Sequence, residues 1–60
     1  MTHAEQHRMI EELRDYMSKM KGKDYYDFEM FWKRDRDDED LDEISKKRLF
    51  ELYEKYYRKR

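Results

Sequence analysis

Four Leu, two Ile, one Ala and no Val make up the whole aliphatic stock of this chain. That shortage limits the folds open to it. A 60-residue domain buries only roughly 60% of the surface its unfolded chain exposes. With no cysteine, disulfide staples cannot make up the deficit. The core must therefore be built largely on rings, supplied by six Tyr, three Phe and one Trp. The same rings, with 15 basic residues nearly balancing 16 acidic ones, separate the chain from disordered sequences, which are poor in aromatics and strongly charged. One domain that folds, alone or as an oligomer, is expected over residues 1–60.

One glycine and no proline leave few breaks in the chain, and the apolar spacing is helical. Met9, Leu13, Tyr16, Met17 and Met20 recur along one stripe and predict a helix over about residues 2–21. Thr2 and Glu5 have the spacing of a capping box, and Gly22 stands where a helix C-cap takes positive φ. Leu41, Ile44, Leu49, Leu52 and Tyr56 predict a last helix over about residues 41–58, with Asp40 as N-cap and Glu43 at N3. Asp42 with Lys46, Glu43 with Lys47, Glu51 with Lys55 and Glu54 with Arg58 are i,i+4 pairs in the favourable order.

The stretch KDYYDFEMFW, residues 23–32, fits two periods. As a strand, Tyr26, Phe28, Met30 and Trp32 share a face; as a helix, Tyr25, Phe28 and Trp32 do, with Phe31 beside them and Asp24 as N-cap. A strand needs a partner for its backbone groups, and no second strand candidate exists. A short helix over about residues 24–34 is therefore expected, with an intermolecular strand as the alternative. The acid-rich run 35–40, DRDDED, reads as a solvated loop. The expected fold is all-α: a small three-helix domain of two long amphipathic helices and a short middle one.

Near-neutral charge gives no global field to attract nucleic acid or anionic lipid. No apolar run approaches the ~20 residues of a membrane span, and the N-terminal segment lacks a signal peptide's apolar core. A cytoplasmic protein without a membrane association is the expectation. His3 and His7 lie i,i+4 in HAEQH, which is neither H-E-x-x-H nor H-x-x-E-H and has no third His or Cys to complete a site. They read as a solvated helix end. An EF-hand loop begun at Asp35 fails, with Asp40 at the glycine position and Lys46 at the bidentate one. No cofactor, metal, catalytic residue or small-molecule substrate is expected, and the chain does not read as an enzyme.

Three binding readings remain. Tyr26, Met30, Phe50, Tyr53 and Tyr57 fall off the main apolar stripes. Such side chains are enriched at interfaces, which suggests a protein-binding module, a regulator, adaptor or self-associating chain, whose partner is another protein or itself. The alternative is a DNA- or RNA-associated protein using Lys46, Lys47, Arg48, Lys55, Arg58, Lys59 and Arg60, with Tyr56 and Tyr57 interleaved. Against it, Asp38, Glu39, Asp40, Asp42 and Glu43 sit at the end of the last helix that would meet the bases, where phosphate repels them. An acidic patch imitating nucleic acid is a third reading. Within the last helix, KKRLF, residues 46–50, resembles the short docking motif by which substrates bind cyclins, through Lys47, Leu49 and Phe50. That motif binds extended, whereas this segment is expected to be helical.

Overall fold

The computed structural model describes residues 2–58 and is all-helical. Three α-helices, α1 (His3–Arg14), α2 (Lys23–Arg36) and α3 (Glu43–Leu52), are joined by a 3₁₀ turn at Met17–Lys19 and an irregular connection. The chain continues from α3 into a π-helical segment, Tyr53–Arg58. The Cα radius of gyration is 10.3 Å, matching the roughly 10 Å of a folded chain this long. The all-α expectation holds, and residues 24–32 are helix rather than strand. The relative lengths differ from those expected, since α2, at 14 residues, is the longest of the three.

The expected capping box opens α1. Thr2 Oγ1 accepts from the Glu5 backbone N–H at 3.1 Å, and Glu5 Oε1 accepts from the Thr2 N–H at 3.2 Å. This helix stops at Arg14 instead of running to residue 21. From Tyr16 onward the ladder tightens to i→i−3 bonds, Tyr16 N–H to Leu13 O at 2.8 Å and Lys19 N–H to Tyr16 O at 2.9 Å. The tighter winding turns Met20 inward while its own backbone is extended. Gly22 does take positive φ, 57°, but as the residue before α2 rather than after a long first helix.

α2 ends in a Schellman arrangement. Glu39 N–H bonds Arg34 O and Asp38 N–H bonds Asp35 O, both at 3.0 Å, with Asp38 left-handed at φ 60°. The expected loop 35–40 therefore begins two residues late, and Asp35 is a buried helical residue. α3 starts later than expected as well. Its N-cap is Asp42, whose carboxylate accepts from Ser45 N–H at 2.7 Å, and not Asp40. That bond holds the Asp42 carboxyl below its ordinary pKa.

The core gathers Met9, Ile10 and Leu13 from α1, Met20 from the segment between α1 and α2, Phe28 and Phe31 from α2, Leu41 from the connection that follows, and Leu49 and Leu52 from α3. Tyr16, Met17, Trp32, Tyr53, Tyr56 and Tyr57 are half-buried against it. The rings thus complete the thin aliphatic stock. Ile44, expected in this core, is 81% exposed. Leu41 precedes the helix, so the spacing from Leu41 to Ile44 carries no helical phase. Leu49 sits five residues after Ile44, on another face.

Candidate functional site

The buried stripe of α2 is apolar in the middle and anionic at both ends. Phe28 and Phe31 fill the centre, Asp24 and Asp27 stand at the N-terminal end, and Asp35 stands at the C-terminal end. Each end is fastened to a different helix. At the first end, Arg48 of α3 donates from Nε to Asp27 Oδ2 at 2.9 Å and from Nη2 to Asp24 Oδ1 at 2.5 Å. Lys55 Nζ and the Tyr56 hydroxyl donate to Asp24 Oδ2 at 2.8 and 2.6 Å. The Lys55 bond, then the Tyr56 and Arg48 bonds, hold the Asp24 carboxyl far below the usual carboxylate range. In return Asp24 raises the pKa of Lys55 and Tyr56, and Asp27 raises that of Arg48.

At the other end, the buried Gln6 amide of α1 makes three bonds. Its Nε2 donates to Asp35 Oδ1 and Glu39 O, both at 3.1 Å, and its Oε1 accepts from Leu41 N–H at 3.0 Å. His7 Nδ1 lies 2.5 Å from Asp35 Oδ2, and His3 Nδ1 lies 2.7 Å from Asp40 Oδ1. The histidines expected to be solvated and the acids expected to be loop are thus one polar cluster. Nothing in local spacing pointed to it, because its members lie 28–37 residues apart in sequence. The cluster also leaves the acidic run with structural duties at Asp35 and Asp40. Among the described residues no group of three metal-ligating side chains is placed to hold an ion.

The five candidate protein-binding residues fall on two sides of the molecule. Tyr26 and Met30, 64% and 47% exposed, lie on α2, where Met30 and the exposed Ile44 border a cleft of about 290 Å³ with Lys23 and Asp27. Phe50, 49% exposed, borders a larger open groove of about 650 Å³ between α1 and the C-terminal segment. Met9, Tyr53 and Tyr57 form its apolar lining, and Glu5, Arg8 and Arg58 form its charged rim.

Tyr53 and Tyr57 are fixed within that groove. Their rings stack at 4.8 Å, and Tyr57 meets Tyr16 edge-on at 6.0 Å. The Tyr53 hydroxyl donates to Glu12 Oε1 at 2.9 Å, and its pKa is raised by burial and by that carboxylate. The wide π turn lets Tyr53, Tyr56 and Tyr57 all rest against the core.

The basic set is largely engaged within the molecule. Lys46 stands 3.9 Å from Glu43, Lys55 2.8 Å from Asp24, and Arg58 3.0 Å from Glu54, while Arg48 is held by Asp24 and Asp27. Lys47 is exposed; Lys59 and Arg60 lie outside the described residues. Of the four i,i+4 pairs expected, Glu54 with Arg58 forms, whereas Lys55 turns to Asp24 and Glu51 meets Arg48 at 3.5 Å. Leu49 of the KKRLF segment is buried in α3. Two guanidiniums, Arg14 and Arg36, lie 5.5 and 5.1 Å from the Trp32 ring centre, within cation–π range. No helix among the described residues is long and apolar enough to cross a membrane. No family model, no curated protein and no solved structure matches the chain.

Proposed function

We propose that this chain is a small, non-enzymatic protein-binding module, of regulator or adaptor type, that takes its partner in the groove between α1 and the Tyr53–Arg58 segment. One observation carries the reading. Phe50 stands half exposed at the edge of a roughly 650 Å³ groove whose apolar lining of Met9, Tyr53 and Tyr57 is already held in place. A preorganised aromatic lining costs little entropy on binding, which is the property of interface hot spots.

Charge specifies the occupant. Of the three rim charges, Arg58 is held by Glu54 at 3.0 Å and Glu5 closes the capping box of α1, which leaves Arg8, 3.9 Å from Glu12, as the charge turned to an occupant. The fitting partner is a protein segment that offers a large apolar side chain flanked by Asp or Glu. The basic set gives the nucleic-acid reading less support, because Lys46, Lys55 and Arg58 each spend their charge on a carboxylate of this chain.

Phe50→Glu is the clean probe, since Tyr57 also holds the fold together. Peptides selected from a random displayed library on the wild type are expected to carry an apolar residue beside acid. They should lose at least about 30-fold in affinity for Phe50→Glu, the roughly 2 kcal/mol of a hot spot. Equal affinity for the variant, or a selected set without acid, sinks the reading. Salt-sensitive binding of a DNA or RNA oligomer that Phe50→Glu leaves intact would favour the alternative.

A further inference from the structure

The first two turns of α1 face the end of α2 and the connection that follows it. His7 Nδ1 meets Asp35 Oδ2 of α2 at 2.5 Å, and its Nε2 lies 3.8 Å from Glu11 of its own helix. His3 Nδ1 meets Asp40 Oδ1 at 2.7 Å, and its Nε2 lies 3.9 Å from Asp38 Oδ1. Asp38 also bears on His7 at longer range. Within 4 Å the two rings face the carboxylates of Glu11, Asp35, Asp38 and Asp40. Both rings keep part of their surface in water, 40% for His3 and 56% for His7, so solvent protons reach them directly. Beneath them the buried Gln6 amide joins α1 to Asp35, to the Glu39 carbonyl and to the Leu41 N–H.

We propose that His3 and His7 form, with Asp35, Asp38 and Asp40, a proton-operated latch between α1 and the α2–α3 connection. It is closed while the His7 imidazole is charged and slackens when that ring becomes neutral. A charged ring donates from both nitrogens into this acidic surface. A neutral ring keeps one N–H, so either the bond through Nδ1 or the approach of Nε2 to its acid is lost, together with the charge attraction. The direction of the linkage follows from the Asp35 bond, which raises the His7 pKa on folding, with Glu11 and Asp38 adding to it. A group raised on folding contributes stability that is complete below the imidazole's unfolded pKa. That contribution is lost as pH rises through the folded value. The latch therefore opens toward alkaline pH.

Glu5, Arg8 and Met9, from the same turns, wall the groove of about 650 Å³. A slackened latch loosens that wall, a consequence that rests on the docking reading above; the latch itself does not.

The test is an NMR titration of the histidine ring protons between about pH 5 and 8, with thermal melts over the same window, on the wild type and on a His3→Gln/His7→Gln protein. Gln cannot titrate but keeps a donor for the carboxylates, and any other group titrating in this window is common to both proteins. The His7 ring is expected to titrate above a free imidazole. The Leu41 N–H should lose exchange protection across that titration, and the wild-type melting temperature should fall relative to the variant's. A His7 midpoint at or below that of free imidazole, or melting curves that run parallel in the two proteins at every pH, overturns the proposal. Because no partner enters the measurement, its failure leaves the docking reading untouched.

Discussion

Asp24 looks in the sequence like a helix N-cap, and in the fold it is the most heavily used carboxylate of the molecule. Three side chains from 24 to 32 residues away donate to it, and nothing in helical spacing announces bonds of that range. Asp24→Asn keeps the shape and removes the charge. It is expected to cost about 2 kcal/mol, the worth of hydrogen bonds to a charged group, measured by urea unfolding at neutral pH. Because folding lowers the Asp24 pKa, its contribution is present above the unfolded carboxyl's pKa and is lost as pH falls through the folded value. The wild type should therefore lose stability steeply in strong acid, and Asp24→Asn should flatten that limb. An identical acid limb in both proteins would show that Asp24 is not the group responsible. Gln6 escaped the sequence reading for the same reason: a polar residue on an apolar face shows its use only once Asp35 and Leu41 have been brought to it.

At the scale of the element, apolar period told the existence of each helix correctly and told its ends poorly. The stripe Met9, Leu13, Tyr16, Met17 and Met20 does face the core, yet the chain reaches Met20 through a 3₁₀ turn that the same spacing cannot distinguish from a continuous helix. On α2 the buried face is set by Phe28, Phe31 and Asp35 rather than by Tyr25, because a carboxylate inside a core is invisible to a hydrophobic pattern. Ile44 and Leu49 test the phase of α3 directly. Ile44→Lys should leave stability within about 0.5 kcal/mol, as surface changes do. Leu49→Ala should remove about 2–5 kcal/mol, as a fully buried leucine does. Melting of the two variants by circular dichroism would reveal a misplaced helix if the order were reversed. The five candidate binding residues were legible only as leftovers from the stripes. Their separation into a Tyr26–Met30 side and a Phe50 side needed the angle at which the helices meet.

For the molecule as a whole, a chain this small draws no more than about 3–5 kcal/mol from a single core. Its two polar clamps are therefore a large share of its stability. They lie 11 residues apart on α2, roughly 16 Å along the axis, and share no partner. Gln6→Leu leaves Asp35 and the Leu41 N–H without their amide, a loss of about 1–3 kcal/mol. Combined with Asp24→Asn the losses should add within about 0.5 kcal/mol, bringing the double variant close to half unfolded at room temperature. Strong non-additivity in urea titrations of the four proteins would mean that α2 transmits one clamp to the other.

The clamp partners also follow one another along the chain in a set order. Gln6 and His7 precede Asp35 in the chain, so the carboxyl end of α2 meets partners that are made before it. Asp24 must wait for Arg48, Lys55 and Tyr56. A nascent chain halted before residue 48 carries that acid without any of its three donors.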